Sequence, residues 1–242
     1  MNKLKHFFKS TLKYLHIDLT LNMKYDRQTS QVIQNILKVD SNTIDIGCHK
    51  GEMLEQFIAQ SPKGNHYGFE PIPEFFNGLK QKFESPNVHI LPYALAATAG
   101  SSEFNYVKNA PAYSGLKERK YAIDNPEIQK IKVELKPLDD LISSNEKIDL
   151  IKIDVEGAEY GVLLGAKNTI LKNKPVIIFE CGLGASEFYD TKPEMVFNLL
   201  TNECGLQLST MKNWLEHKNS LTEKEFCDKY NNKIDYYFIA YP

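Results

Sequence analysis

Two short turns in the chain combine glycines with carboxylates, residue types that can hold a polar ligand and move a proton. The first turn reads Asp45-Ile-Gly47-Cys-His-Lys-Gly51 and follows a short apolar strand that begins at Thr43. Glycine accepts positive φ and has no Cβ, so the backbone of such a turn can approach a ligand closely. We expect the Asp45 carboxylate, at the strand end, to pair with a bound cation or hydroxyl, directly or through water.

Glu70 ends the next predicted strand and lies 19 residues after Gly51. The acid that holds a ribose usually follows a nucleotide-binding turn at a distance of about 20 residues. A dinucleotide-binding turn also needs a middle glycine to admit the pyrophosphate, and Cys48 and His49 stand there instead. The pattern therefore favours S-adenosylmethionine, with its ammonium at Asp45 and both ribose hydroxyls at Glu70. The alternative is that Asp45 only caps the helix and that Glu70 is solvated.

The second turn follows the predicted strand Ile148–Asp154 and reads Asp154-Val-Glu156-Gly-Ala-Glu159. Ligands of an open α/β sheet bind outside the carboxyl ends of the strands, so this turn borders the same crevice. A partly desolvated carboxylate can remove a proton as a general base, and Asp154 is the preferred candidate, followed by Glu156. For Glu159 an equally good explanation is that an acid stabilises a helix N-terminus, by about 0.3–1 kcal/mol.

Two further candidates for the chemistry are less specific. His49 lies within the first turn and could act as the base, although a histidine in a turn is more often simply exposed. Carboxylates can also hold Mg²⁺, which lowers the pKa of a bound hydroxyl. We do not favour a metal site, because no third ligand is evident beyond Glu180, whose direction the sequence does not determine.

The composition is that of an ordinary globular chain. Its 242 residues suit one α/β domain with extensions, and 42% hydrophobic and 25% charged residues are typical values. The formal net charge of −2 provides no basic field for nucleic acid or an anionic membrane. The four cysteines form no Cys-x-x-Cys pair, which argues against disulfides and zinc and favours a reducing, cytoplasmic location. No run approaches about 18 apolar residues, so the sequence predicts no transmembrane helix.

The first predicted elements of the domain follow the order β-α-β-α-β, which implies parallel strands joined by right-handed crossovers. Two alternating strands then interrupt this order, and the polar stretch Lys108–Pro126 between them is predicted to be a mobile lid over the acceptor. Helices and strands resume after the interruption. We therefore divide the chain into an N-terminal helical extension, residues 1–40, and one domain, residues 41–242, with an insertion at about 94–137.

The N-terminal stretch Met1–Ile17 is basic and partly amphipathic, with apolar residues at Phe7, Phe8, Leu12 and Leu15. It lacks the unbroken apolar run of a signal peptide. We interpret it as a helix that packs on the domain or on a partner, and a weak membrane-surface helix is the less favoured alternative.

Five segments occur in the order that they have in a known enzyme family, and together they cover about residues 43–180. They are Asp45–Gly51, Phe69–Pro71, Pro137–Leu141, Ile151–Glu159 and Pro175–Glu180. With these motifs the chain resembles the FkbM-type family of S-adenosylmethionine-dependent methyltransferases, and the run Lys-Ile-Asp-Val-Glu-Gly-Ala-Glu is the most specific part. The first motif departs from the family, since Cys48 and His49 replace its usual alanine and asparagine.

The resemblance implies an α/β fold with a Rossmann-like, doubly wound sheet of about seven strands. These strands would be mostly parallel, with Tyr236–Tyr241 as the antiparallel last strand. It also implies methyl transfer to oxygen, often to a hydroxyl of a sugar or of a secondary metabolite. The residues predicted to bind S-adenosyl-L-methionine are Asp45, Gly47, Cys48, Gly51, Glu70, Pro71 and Ala94.

Two other functions remain open at this point. A nucleotide-dependent oxidoreductase is weakened by the missing middle glycine and by the carboxylate-rich second turn. The second open function is a catalytically idle domain that binds the cofactor or a partner. The expected partner of the enzyme is a small-molecule or saccharide acceptor rather than nucleic acid, and the sequence leaves a homo-oligomer open.

Overall fold

The computed structural model describes residues 20–119, 121 and 123–242. The amphipathic stretch Met1–Ile17 lies outside these residues, so neither interpretation of it is tested. The described part of the chain contains ten strands in two sheets. The strands are β1 Thr43–Ile46, β2 His66–Phe69, β3 Val88–Leu91, β4 Tyr93–Leu95, β5 Gly100–Val107, β6 Ile128–Lys136, β7 Leu150–Ile153, β8 Val176–Glu180, β9 Gln207–Thr210 and β10 Tyr237–Tyr241.

The central sheet has seven strands in the order β3-β2-β1-β7-β8-β10-β9. The strands from β3 to β8 in this order run parallel, whereas β10 is antiparallel to both β8 and β9. This confirms the predicted fold, a mostly parallel doubly wound sheet with a reversed last strand. The chain proceeds from β1 to one side through β2 and β3 and returns to the other side at β7. A topological switch point therefore lies between β1 and β7.

The central strands are short and almost wholly apolar because both faces of the sheet are covered. Every residue of β1 and of β7 is buried. Two charged residues are exceptions to the apolar pattern, and the register places them opposite each other: Asp45 of β1 is the partner of Lys152 of β7. The sheet thus brings a carboxylate and an ammonium together inside the core, next to the switch point.

Eight α-helices pack around the sheet in the part of the chain that the structure describes. They are α1 Leu21–Ile36, α2 Glu52–Gln60, α3 Pro73–Lys82, α4 Glu159–Gly165, α5 Lys167–Asn173, α6 Pro193–Phe197, α7 Met211–Leu215 and α8 Glu223–Asn231. None of these eight helices has both the length and the apolarity that crossing a membrane requires.

Helix α1 belongs to the packed domain. It begins where the Thr20 hydroxyl accepts a hydrogen bond from the backbone N–H of Met23, a typical N-cap. Tyr25, Val32 and Ile33 are buried in one cluster with residues of β7, β8 and β10. The predicted boundary at residue 40, between an extension and the domain, is therefore not a boundary in the packing.

The predicted insertion, residues 94–137, folds into a second sheet of three strands in the order β4-β6-β5. Strands β5 and β6 are an antiparallel pair, and both extend beyond the alternating segments seen in the sequence. Phe104, Tyr106 and Val133 form a buried cluster with Ile72, because alternate side chains of a strand share one face. This small sheet fixes both ends of the connection between β5 and β6 beside the central sheet.

Candidate active site

A cavity of about 890 Å³ lies at the carboxyl ends of β1, β2, β7 and β8, which is the crevice of the switch point. Helix α1, the small sheet and the connection after β5 complete its walls. Eight of the ten predicted site residues line it: Gly47, Cys48, His49, Glu70, Pro71, Ala94, Asp154 and Glu156. Asp45 and Gly51 do not line it. The structure thus brings the two carboxylate-bearing turns to one cavity.

The two glycines of the first turn are needed for close packing within the protein. Gly47 has a φ of +83°, and a Cβ there would lie 2.0 Å from the backbone oxygen of Asp154. Gly51 has a φ of +78°, and its Cβ would come within 2.6 Å of the Phe83 ring. Gly47 therefore lets the first turn lie directly against the second, whereas Gly51 faces helix α3 and not the cavity.

Asp45 lies beneath the first turn with a fully buried side chain (0% exposed). Lys152 Nζ is 3.7 Å from Asp45 Oδ1 and 3.2 Å from Asp154 Oδ2. Burial raises the pKa of Asp45, and the charge of Lys152 opposes that shift. The structure therefore offers no direct contact between Asp45 and a ligand ammonium, because Asp45 pairs with Lys152 behind the cavity wall.

Glu70 joins the end of β2 to the first turn. Its two carboxylate oxygens accept hydrogen bonds from the backbone N–H groups of His49 and Ile72, each at 2.9 Å. Each carboxylate oxygen has a second lone pair, so both remain able to accept from a ligand hydroxyl. Burial raises the pKa of Glu70 to about 7, against the lowering effect of the two N–H groups. The contact with ribose hydroxyls stays a prediction that this geometry permits.

His49 contributes its backbone to the turn and places its ring in the wall. Its φ of +49° is in the left-handed region, and its ring lies 4.6 Å from the Phe75 ring between centroids. Burial lowers the pKa of His49, so the imidazole is neutral at neutral pH. Its Nε2 is buried and has no hydrogen-bond partner among the described residues. A neutral imidazole with an unpartnered nitrogen can accept a proton, so His49 stays a candidate for the base beside the carboxylates of the second turn.

Asp154 is the charged centre of the second turn. Lys152 lies 3.2 Å from its Oδ2, and the Tyr237 hydroxyl donates a hydrogen bond to the same oxygen. Burial by itself raises the pKa of Asp154. The charge of Lys152 and the hydrogen bonds from Tyr237 and Glu180 outweigh burial, so the pKa lies below its usual value. Asp154 is therefore a carboxylate at neutral pH, and it faces the cavity.

Glu156 lies across the same wall and is held by an arginine from the connection after β5. The Arg119 guanidinium donates to the Glu156 carboxylate, and its other end lies 3.4 Å from the carbonyl oxygen of Gly184. Burial and the neighbouring Asp154 charge raise the pKa of Glu156 to about 8, although Arg119 opposes this. Glu156 thus differs from Asp154 both in its partner and in the direction in which its surroundings shift its pKa.

Glu159 shapes the turn and does not line the cavity. Its buried carboxylate accepts hydrogen bonds from the N–H groups of Val155, at 3.0 Å, and Gly157, at 3.1 Å. Gly157 has a φ of +108°, and a Cβ there would lie 2.6 Å from the Ala185 carbonyl group. The structural explanation, an acid satisfying the N–H groups that precede a helix, therefore fits Glu159.

Glu180, whose direction could not be predicted, turns toward the second turn. One oxygen from each of Asp154, Glu156 and Glu180 lies within 4.8 Å of the others. Burial and the nearby carboxylates raise the pKa of Glu180 well above its ordinary value. A side-chain hydrogen bond between Glu180 and Asp154 lowers the pKa of Asp154 and contributes to the raised pKa of Glu180.

Several residues of the site were not predicted from the sequence, because they come from distant parts of the chain. Arg119 and Tyr237 contact the two predicted catalytic acids. Helix α1 contributes Asn22 to the cavity wall, where its side-chain oxygen accepts a hydrogen bond from the Tyr236 hydroxyl. The sequence provided a hint of one of them, Arg119, because it lies in the long polar connection after β5 that is predicted to cover the acceptor.

The charges of the wall test whether the expected cofactor fits. Among the described residues, six carboxyl groups line the cavity: Asp26, Glu52, Glu70, Asp154, Glu156 and Glu180. Three cationic side chains of the same part of the chain line it: Arg27, Arg119 and Lys152. A nearby cation favours the charged form of buried acids. S-adenosylmethionine, with a sulfonium and an ammonium against one carboxylate, therefore complements this excess of acids.

A doubly wound sheet with a cavity at its switch point defines a Rossmann-like α/β protein. The model of the Methyltransferase FkbM domain matches residues 45–208 of the chain. The chain therefore belongs to the FkbM family of S-adenosylmethionine-dependent methyltransferases. Family membership supports the methyltransferase interpretation and gives no support to the oxidoreductase alternative.

Individual relatives share part of the sequence and the fold. The 2-O-methyltransferase NoeI of Sinorhizobium fredii (strain NBRC 101917 / NGR234) is 27% identical over 172 residues, covering 64% of this chain and 68% of NoeI. The methyltransferase sdnD of Sordaria araneosa is 28% identical over 152 residues, 50% of this chain and 59% of sdnD. The crystal structure of the methyltransferase FkbM from Methylobacillus flagellatus KT has the same fold, with a TM-score of 0.52 and 15% identity. That match covers 85% of this chain, which spans less than half (44%) of the solved chain.

Proposed function

We propose that the protein transfers the methyl group of S-adenosylmethionine to a hydroxyl of a sugar or of a secondary metabolite. The observation that carries the proposal is an ionised carboxylate, Asp154, in the wall of the same cavity that Glu70 lines. Such a carboxylate can remove the proton of a hydroxyl that is held beside the cofactor. The name of NoeI, a 2-O-methyltransferase, supports oxygen as the atom that is methylated.

The cofactor, when bound, supplies a methyl group on a positively charged sulfur. In the proposed transfer a carbon–oxygen bond would form as the carbon–sulfur bond breaks, with S-adenosylhomocysteine as the leaving group. Asp154 takes the proton that the acceptor hydroxyl loses. Glu70 would hold the ribose hydroxyls, and the backbone of the turn from Gly47 to His49 would bind the rest of the cofactor. Lys152 and Tyr237 keep the base charged and oriented until the proton arrives.

Asp154 is a better candidate for the base than Glu156 in this arrangement. A carboxyl group must be deprotonated before it can act as the general base. The pKa of Glu156 is raised to about 8, and Arg119 already occupies its carboxylate. The pKa of Asp154 lies below its usual value. At neutral pH Asp154 is therefore ready to accept a proton, whereas Glu156 helps to bind the acceptor.

We propose a reaction that needs no metal ion. Asp154, Glu156 and Glu180 are close enough to one another to resemble three ligands. Lys152, however, already contacts the Asp154 carboxylate, and Arg119 already contacts the Glu156 carboxyl group. We expect dialysis against EDTA to leave turnover within about twofold, since a catalytic Mg²⁺ would be removed by it. Loss of activity that added Mg²⁺ restores would contradict the metal-free proposal.

The proposed function is tested by measuring methyl transfer to a panel of acceptors. S-adenosylmethionine with a labelled methyl group is incubated with saccharides, amino sugars and hydroxylated metabolites, and the labelled product is analysed for an O-methyl group. Calorimetry with S-adenosylmethionine, S-adenosylhomocysteine and NAD accompanies the panel, and we expect the first two to bind. Cofactor binding without turnover on any acceptor would favour the idle domain, and methylation of nitrogen or carbon would overturn the proposal for oxygen.

We also propose that the connection Lys108–Pro126 closes over the acceptor. It reaches the second turn through Arg119, and the N–H of Lys117 donates to the Tyr189 hydroxyl at 2.9 Å. We expect its amides to exchange with solvent rapidly in the free protein and more slowly with S-adenosylhomocysteine and acceptor bound, because lids are weakly packed segments. Hydrogen exchange followed by mass spectrometry measures this. Strong protection in the free protein would argue against a lid.

A further inference from the structure

Tyr237 lies at the start of the reversed strand β10, outside the residues 45–208 that match the family model. The register of β10 against β8 makes Tyr237 the direct partner of Glu180. The Tyr237 hydroxyl crosses from there to the end of β7 and donates to Asp154 Oδ2. Tyr237 and Glu180 thus reach the same carboxylate from two neighbouring strands.

The surroundings of Tyr237 hold its ring independently of its hydroxyl. The ring lies 5.3 Å from the Tyr25 ring of helix α1 and 6.1 Å from the Tyr236 ring, between centroids. These apolar contacts involve the ring faces and edges, which phenylalanine also has. The hydroxyl adds a hydrogen bond to a charged acceptor, which is shorter and stronger than a bond between neutral groups. The two contributions of Tyr237 can therefore be separated by one substitution.

We propose that Tyr237 is a positioning residue for methyl transfer, whose hydroxyl fixes the Asp154 carboxylate in its ionised form with one oxygen directed to the cavity. The bond from Tyr237 and the contact from Lys152 both fall on Oδ2. Neither contact falls on Oδ1, the oxygen that we assign to the acceptor hydroxyl. The proposal rests on Asp154 as the base of the proposed function, and it adds a residue that the methyltransferase motifs do not contain.

Other groups also influence the charge of Asp154, and the test must separate Tyr237 from them. They are Lys152 on β7, Asp45 on β1, Glu180 on β8, Glu156 and Glu159 in and after the second turn, Tyr236 next to β10, and His49 in the first turn. The substitution Tyr237→Phe changes none of these groups. A change in the titration of Asp154 in this variant therefore reports the Tyr237 hydroxyl.

The test follows the Asp154 carboxyl carbon by NMR in protein labelled with ¹³C-aspartate, with Asp154→Asn used to assign the signal. In Tyr237→Phe we expect the titration midpoint of Asp154 to rise by about one pH unit, because a hydrogen bond to the charged form is lost. Asp154 stays ionised at neutral pH in this variant, so we expect kcat to fall about tenfold there because the carboxylate is no longer held in one orientation, and we expect the affinity for S-adenosylhomocysteine to stay within about twofold. The matched control is Tyr241→Phe on the same strand, which lies outside the cavity wall and should change neither quantity.

The titration does not depend on knowing the acceptor, so the outcomes distinguish this proposal from the proposed function. A raised midpoint supports the role of Tyr237 even where no acceptor is turned over, and that absence of turnover counts against the proposed function alone. An unchanged midpoint overturns the role of Tyr237, even if kcat falls. A reciprocal measurement uses Asp154→Asn, in which the Tyr237 phenol should titrate closer to its ordinary range. A phenol that titrates as in the original protein overturns the proposal independently of how Tyr237→Phe folds.

Discussion

Asp154→Asn is expected to lower kcat by about 10²–10⁴-fold, the usual contribution of general base catalysis. Asparagine has nearly the shape of aspartate and can still accept the hydrogen bond from Tyr237, but it cannot take a proton. Asp45 remains 3.7 Å from Lys152, so the buried lysine keeps a carboxylate partner in the variant. The affinity for S-adenosylhomocysteine should therefore stay within about twofold in calorimetry, while turnover collapses.

The pH dependence of kcat distinguishes Asp154 from Glu156 as the base. The base must be deprotonated, so activity falls as the pH drops through the pKa of that group. The pKa of Asp154 is lowered, which puts this fall well below neutral pH and predicts a plateau between about pH 7 and 9. The pKa of Glu156 is about 8, so activity would rise through pH 8 if Glu156 were the base. Measuring kcat with one acceptor from pH 5 to 9 distinguishes the plateau expected for Asp154 from the rise through pH 8 expected for Glu156.

Two further variants control this experiment. Asp228→Asn removes an exposed carboxylate of helix α8, away from the cavity, and should leave kcat unchanged. Glu156→Gln should weaken acceptor binding more than it lowers kcat, because glutamine lacks the carboxyl group that the Arg119 guanidinium contacts. If Asp154→Asn keeps full turnover while Glu156→Gln loses it, the roles of the two acids are exchanged. Full turnover in both variants would leave His49 as the next base to examine.

The sheet could be predicted because its information is local. Short apolar runs alternating with amphipathic stretches indicate parallel strands and crossover helices, and two glycine turns mark where the ligand binds. The reversed direction of β10 is different, since an apolar run reads the same in either direction. That feature was inferred from the resemblance to a family, and the pairing of β10 with β8 and β9 confirms it.

Asp45 shows why burial of a site residue could not be predicted. A strand that is buried on both faces has no polar face, so its pattern does not tell on which side a charged residue lies. The partner of Asp45 is Lys152, 107 positions later, and only the neighbouring positions of β1 and β7 bring them together. Buried charged groups are tolerated when they are paired. Here Lys152 is paired with both Asp45 and Asp154. The sequence-based expectation that Asp45 binds a ligand ammonium did not take into account that Lys152 is already its cationic partner.

Arg119 and Tyr237 illustrate the same limit for the catalytic acids. Arg119 is 37 positions from Glu156, and Tyr237 is 83 positions from Asp154. No motif joins the members of either pair, and tertiary packing alone makes them neighbours. The local signal located the acids at the carboxyl end of a strand, but their partners determine which acid is charged. The division of roles between Asp154 and Glu156 was therefore accessible from the structure and not from the motif.

Glu70→Ala is expected to weaken the binding of S-adenosylhomocysteine by about ten- to a hundredfold. Hydrogen bonds to a charged acceptor contribute about 1.5–3 kcal/mol, which corresponds to this range. The structure adds a second reason, because Glu70 also accepts from the N–H groups of His49 and Ile72 and so ties the first turn to β2. Glu70→Gln separates the two effects, since its amide oxygen keeps one of these N–H groups satisfied while the side chain carries no charge. The control is Glu84→Gln, which changes an exposed acid after helix α3. This variant should bind S-adenosylhomocysteine with normal affinity.

The pH dependence of cofactor binding provides the sharper form of the same prediction. The pKa of Glu70 is about 7 because the group is buried, and ribose hydroxyls donate to its ionised form. Binding then requires deprotonation, so affinity rises as the pH increases through 7 and is lost as the pH falls. With a pKa near 7, the ionised fraction changes about tenfold between pH 6 and pH 8, and the dissociation constant should change by the same factor. Calorimetry at several pH values measures it, with Glu70→Gln as the variant in which this dependence must disappear. A flat profile in the original protein, together with unchanged affinity in Glu70→Ala, would remove Glu70 from the cofactor site.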